Sequence, residues 1–234
     1  KNSEPQSHTA IRRFFEDQQE QWWFTTIDRP YLYHYDRQTQ KTDSFDLTFD
    51  KDIAKETTAI NGFAQNNNCL FLYTSNAIHA FDLKTHRFDE PLVTPLKKVV
   101  NDEIIYSLKT FGDTVYLLTD RSGITAWFGK NVIRRIPVRD NDFLKHHISQ
   151  YKASVLTTSG LIYYCFSGLR IARYNIAKNQ LDTFSVRMPG NIKIVQEEAV
   201  NLDEDASGNL WISQKSTGLI FYNVRTGETK LWQE

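Results

Sequence analysis

The stretch Asp205–Asn223, DASGNLWISQKSTGLIFYN, decides the fold. It holds a turn cluster, Ala206-Ser207-Gly208-Asn209, then a short apolar run around Trp211. A second turn follows at Lys215-Ser216-Thr217, and an aromatic run ends at Tyr222-Asn223. Gly and Asn tolerate the positive φ that tight hairpins need, so the pattern predicts two antiparallel strands joined by short turns.

The same pattern recurs along the chain. Runs resembling LWIS occur around Trp23, Phe71, Tyr116 and Tyr163, at intervals of 48, 45, 47 and 48 up to Trp211. A second marker keeps the period. An aromatic followed by a polar residue ends the next strand at Tyr35-Asp36, Phe81-Asp82, Tyr174-Asn175 and Tyr222-Asn223, with Trp127-Phe128 in the third unit. Those intervals are 46, 46, 47 and 48. Two independent markers with one period define five copies of a unit of about 47 residues.

Each copy reads as four short strands. The second is the informative one. A sheet with one wet face alternates apolar and polar residues. Leu70 to Tyr73 and Leu161 to Phe166 do not alternate, so both faces of these strands must be covered. A four-stranded sheet of this length, covered on both faces by copies of itself, is a propeller blade. The fold class expected is all-β: a single β-propeller over residues 1–234, with five visible four-stranded antiparallel blades near 10–48, 57–94, 103–140, 152–187 and 198–234. Trp22, Trp23, Trp127, Trp211 and Trp232 are expected to pack between blades. Helix is expected at most as one turn near FLKHHISQY.

Composition narrows the function. Charge is balanced, 28 basic against 28 acidic residues, so the chain carries no electrostatic footprint for nucleic acid or for an anionic membrane surface. No apolar run approaches bilayer length. The N-terminal KNSEPQSHTA has no signal-peptide core, which leaves a cytosolic chain or an excised mature segment. Cys69 and Cys165 each sit in an apolar strand and read as buried free thiols.

The fifth unit resembles the two-component regulator propeller repeat. The resemblance rests on Glu204-Asp205, Gly208-Asn209-Leu210-Trp211-Ile212, Gly218-Leu219, Tyr222-Asn223 and Thr226-Gly227. The first unit matches through Phe15-Glu16-Asp17, Trp23 and Tyr33-His34-Tyr35-Asp36, and the second through Phe81-Asp82. The third and fourth match in period and apolar pattern alone. The resemblance implies a periplasmic sensor region of a Bacteroides-type hybrid two-component system. It implies a binding and signalling role without identifying the ligand, for which a small molecule or oligosaccharide is expected, and it implies a neighbouring propeller, an immunoglobulin-like domain and a histidine kinase in the parent chain. A homodimer is a further expected partner. Such rings usually have about seven blades, so either five close here or the chain is a piece of a larger ring, and the piece is the expectation.

Propellers usually bind ligands where the second strand turns into the third and where the fourth runs into the next blade. Here the first set of loops is Ile27-Asp28-Arg29-Pro30, Ser75-Asn76, Asp120-Arg121-Ser122, Ser167-Gly168-Leu169-Arg170 and Lys215-Ser216-Thr217. The second includes Asp50-Lys51-Asp52, Lys97-Lys98, Arg139-Asp140-Asn141-Asp142 and Met188-Pro189-Gly190-Asn191. Arg and Asp offer several directed donors and acceptors for sugar hydroxyls. Arg29, Arg121 and Arg170 recur at one loop position in three units, which places them on one expected rim, and with Asp28 and Asp120 they form the expected ligand site. No catalytic residue, metal ligand or cofactor is expected. Asp203-Glu204-Asp205 lacks the distal bidentate Glu of a calcium loop, and the adjacent His146-His147 point apart. No nucleophile elbow or phosphate loop is present. The alternatives are a protein-interaction scaffold and a propeller lyase or hydrolase. Fold alone does not choose among them.

Overall fold

The computed structural model describes residues 10–50, 60–99, 102–129, 131–188 and 200–233. The described residues form five four-stranded sheets, each a run of four strands in sequence order. The first joins β1 (Ile11–Glu16), β2 (Trp22–Thr26), β3 (Tyr31–Asp36) and β4 (Lys41–Asp46). The second joins β5 (Gly62–Gln65), β6 (Cys69–Tyr73), β7 (Ile78–Asp82) and β8 (Arg87–Phe88). The third joins β9 (Ile105–Phe111), β10 (Thr114–Thr119), β11 (Gly123–Phe128) and β12 (Asn131–Ile136). The fourth joins β13 (Tyr151–Leu156), β14 (Leu161–Phe166), β15 (Arg170–Asn175) and β16 (Gln180–Ser185). The fifth joins β17 (Val200–Glu204), β18 (Leu210–Gln214), β19 (Gly218–Tyr222) and β20 (Thr229–Trp232). The chain divides into two compact units, Lys1–Leu117 with Trp127–Val132, and Leu118–Ala126 with Ile133–Glu234.

Within the first unit the all-apolar strand β6 is buried along its whole length. Leu70 and Leu72 pack toward the first blade, against Trp23, Leu32 and Leu47. Cys69, Phe71 and Tyr73 face the other way, toward Ile105, Leu108, Val115 and Trp127. Successive side chains therefore enter different inter-blade cores, the arrangement a run without alternation requires. In the second unit Tyr163 and Cys165 of β14 pack with Val200, Leu202, Leu210 and Ile212 of the fifth blade. Each fully buried Leu, Ile or Phe stabilises by about 1.5–3 kcal/mol. Both thiols are free and buried, and burial pushes Cys69 up to about 11 and Cys165 to about 12.

One device recurs in the blades that carry Trp on strand two. Asp17 accepts from the Gln19 and Gln21 amides at 2.9 and 2.8 Å, and its second oxygen accepts from Trp23 Nε1 at 2.8 Å. Asp205 accepts from the Ser207 and Asn209 amides and from Trp211 Nε1, at 2.9, 3.0 and 3.0 Å. One carboxylate thus closes the hairpin turn and fixes the indole, six residues on. These bonds hold Asp205 down at about 2. The acidic residue of the fifth unit is a turn residue whose oxygens are already occupied. In the fourth blade, where Tyr163 replaces Trp, Thr157 takes the position. Its backbone N–H bonds Leu161 O and its hydroxyl accepts from Leu161 N.

Two expectations need correction. First, a ten-residue helix, α1 (Glu90–Val99), lies between the second and third blades. Its N-terminus is capped by Asp89, which accepts from Leu92 N at 3.1 Å. Val93 and Leu96 are fully buried in the same core as Phe71 and Tyr73. Pro91 and Pro95 read as breakers in sequence, yet this core covers the Val93 and Leu96 side chains and holds the helix there. The helical segment α2 (Asp142–His147) falls where the single turn is expected, with Asn141 accepting from Leu144 N. Second, Trp23 and Trp127 are buried between blades, but Trp232 is 48% exposed and stacks on Trp211 at 5.4 Å.

Candidate functional site

The residues expected to bind ligand all lie at one end of their blades, where strand two turns into strand three. Asp28 and Arg29 sit in the four-residue hairpin between β2 and β3, their charged groups 3.9 Å apart and well exposed. An exposed pair of this kind adds little stability, so both groups remain on the surface of the first unit.

Asp120 and Arg121 belong to the second unit, in the three-residue hairpin between β10 and β11. They line a groove of about 470 Å³ together with Ser122, Arg135, Pro137, Val138 and Arg139. The fold brings these segments together because the third and fourth strands run side by side and end at the same rim. Val138 N donates to Arg121 O at 3.3 Å, tying the hairpin to the connection that leaves the blade. Gly123 makes the approach possible. Its φ is +66°, and a Cβ there would lie 2.1 Å from Ile136 O. Three guanidinium groups, those of Arg121, Arg135 and Arg139, and the Asp120 carboxylate therefore border one groove. Arg139 also lies 3.6 Å from Asp140.

Arg170 occupies a different position from the other two arginines. It opens β15, paired with Phe166, whereas Arg121 is the middle residue of its loop and Arg29 the third of four. The strand-opening position of Arg170 is held by glycine in the third and fifth blades, at Gly123 and Gly218. Its guanidinium folds back to donate to Ser167 O at 2.7 Å. Beside it, burial and then the Arg170 charge hold the His147 imidazole below its usual range. The three arginines share only the second-to-third-strand end of their own blades, not a position in the register. Among the second loop set, Lys51, Asp52 and Pro189–Asn191 lie outside the described residues.

Arg139 stands in the second expected loop set, whereas Arg135 was not legible as a site residue. Arg135 lies in a strand and Arg139 in the 3-10 turn Val138–Asp140, and only pairing of β11 with β12 brings them beside Arg121. A second groove at the same end of the fifth blade, about 750 Å³, is lined by Lys215, Ser216, Thr217, Gly218, Leu219, Trp232 and Gln233. Trp232 was expected in a core, and its place on a strand end gave no signal of exposure. Among the described residues no cluster of three His, Cys, Asp or Glu side chains could hold a metal, and no helix is long and apolar enough to cross a membrane.

No family model matches the chain, and no curated protein matches it. Solved structures do. The extracellular domain of a putative hybrid two-component system from B. thetaiotaomicron is 16% identical, with a TM-score of 0.64 over 97% of this chain and 28% of that one. A second such domain from the same organism is 11% identical, with a TM-score of 0.66 over 97% and 29%. Virginiamycin B lyase from Staphylococcus aureus is 8% identical, with a TM-score of 0.66 over 99% and 72%. At these identities the likeness defines the fold: the chain is an all-β protein of the β-propeller class, with five blades among its described residues. It spans less than a third of the two extracellular domains.

Proposed function

We propose that the chain is the ligand-sensing propeller of a periplasmic signal-transduction sensor. It recognises an oligosaccharide at the rim that carries Asp120 and Arg121 and signals to a histidine kinase in the parent protein. The observation that carries this reading is the groove of Asp120, Arg121, Arg135 and Arg139. It has the size range of small-molecule sites. The repeat resemblance in the first and fifth units and the fold shared with two extracellular sensor domains support the same reading. Asp28 and Arg29, and Arg170 with Ser167, are proposed as further rim contacts of their own blades.

The mechanism is a population shift. Ligand favours one arrangement of this propeller against its neighbouring propeller or immunoglobulin-like domain, and that bias reaches the kinase. A ligand with equal affinity for both arrangements sends no signal. The outer face of the fifth blade supports a parent with further blades. Trp211 is fixed by Asp205 as Trp23 is by Asp17. The second blade covers Trp23 through Phe81 at 5.4 Å, whereas Leu219 and Trp232 on the Trp211 face are 40% and 48% exposed. A homodimer through this face is the competing arrangement.

The test is calorimetric titration of the chain with oligosaccharides of two to eight sugars from plant and host glycans. Arg121→Ala is expected to weaken binding about tenfold, the loss of one charge-assisted hydrogen bond. Unchanged affinity in Arg121→Ala, Arg135→Ala and Arg139→Ala would move the ligand away from this groove. A lyase among the structures of like fold keeps one second reading open, a propeller lyase or hydrolase. It requires turnover of the bound oligosaccharide, abolished by Asp120→Asn.

A further inference from the structure

A second cleft lies in the first unit, at the end of the strands opposite to the hairpins just described. It has a volume of about 310 Å³ and sits between the turn after β1, the turn after β5 and the turn after β7. Its inner wall is aromatic and fixed. His34 stacks on Trp23 at 4.3 Å, and Asp17 holds the indole. His86, at a φ of 55°, approaches His34 at 5.9 Å and stands edge-on to Trp23 and Phe45. His34 is 9% exposed and makes no hydrogen bond among the described residues; its Nδ1 lies 4.0 Å from Asp43, beyond hydrogen-bond reach. Burial, then the neighbouring His86, keep its imidazole below the usual range.

The outer wall is polar, and part of its hydrogen-bonding capacity is unspent. Asp17 is fully engaged by the two turn amides and the indole. Gln19 accepts from Gln65 and keeps its own NH₂. Asn67 donates to Asp113 and keeps its carbonyl. The Asn68 side-chain amide, the Lys84 ammonium and the His86 ring have no hydrogen-bond partner among the described residues. The free set therefore mixes donors and acceptors. A simple anion would leave the two Asn carbonyls unmatched, and a cation would face Lys84. A hydroxyl both donates and accepts, so a ligand dense in hydroxyls matches every group present. The volume is at the small end of ligand pockets.

We infer that this cleft binds a small, uncharged polyhydroxylated molecule of about one sugar ring, seated against His34 and Trp23 and held by Asn67, Asn68, Lys84 and His86. The site is separate from the rim of Asp120 and Arg121 and does not rest on the function proposed for it. Its place between two blades gives it a consequence. Ligand there bridges the first blade's turn to two turns of the second, and stabilises their packing with the logarithm of its concentration once that exceeds Kd.

The experiment is nuclear magnetic resonance of the 234-residue chain, following the Trp23 indole N–H and the His34 and His86 ring protons. The probes are glucose, galactose, mannose and N-acetylglucosamine, with sodium phosphate as the anionic comparison. The expected result is a saturable shift of all three groups with at least one sugar and none with phosphate. Asn68→Ala and Lys84→Ala, both on exposed turns, are each expected to weaken it about tenfold, while Arg121→Ala leaves it unchanged. Saturation by phosphate but not by sugar overturns the inference. So does the absence of any saturable shift, or one that both turn variants leave intact.

Discussion

Asp17 is asked to do two things with one carboxylate, and its loss separates them. Asp17→Ala leaves two turn amides and a buried indole N–H without a partner. The expected cost is about 2–4 kcal/mol, between that of one charged hydrogen bond and of several, read from the shift in the urea midpoint. Asp205 gives the pH counterpart. Its folded value of about 2 is below the ordinary 3.8. The stability it contributes is therefore fully present above pH 3.8 and is lost as pH falls through about 2. Asp205→Asn is expected to flatten the acid limb of the unfolding curve in that window, and an unchanged limb would count against the role. These two residues were marked in the sequence by the repeat resemblance, although the indole bond each makes emerges only from the structure. The same position in the fourth blade was not, since Tyr163 has no indole N–H to hold and Thr157 suffices to close the turn.

At the scale of elements, period and patterning carried most of the reading. Strand β6 lacked alternation because its two faces enter different cores, and β14 because side chains on both of its faces are buried, and that feature separates a blade from a half-exposed sheet. Helix α1 escaped notice for a physical reason. Among its described side chains Leu92, Val93 and Leu96 mark the buried side, too few for a period, and two prolines interrupt the run. Its packing makes a clear prediction. Leu96→Ala removes a fully buried side chain and is expected to cost about 2–5 kcal/mol, whereas a solvent-facing helix would lose almost nothing. Thermal and urea unfolding of the variant distinguish the two. Gly218→Ala tests the hairpin rim in the same way. With φ at +98° and a Cβ 2.2 Å from Trp232 O, it is expected to destabilise by about 1–3 kcal/mol or more.

At the scale of the whole molecule, the repeat exposed the blades and the candidate rim but only part of the groove. Asp120 and Arg121 stand in a loop that the period identifies. Arg139 stands in the expected loop after the fourth strand, but Arg135 comes from the end of that strand, and nothing local distinguishes it from other arginines. Arg170 shows the converse. It looked equivalent to Arg121 in loop spacing, yet strand register makes it the first residue of β15, folded onto its own hairpin. Residue types near a rim can be read from sequence; which of them share a groove depends on register.

The most direct measurement is to incubate the chain with the oligosaccharide panel, following heat of binding by calorimetry and products by mass spectrometry. The account predicts saturable binding by at least one oligosaccharide, weakened about tenfold by Arg121→Ala, with every bound ligand recovered intact. Cleavage of the ligand, or the absence of binding across the panel, would contradict it.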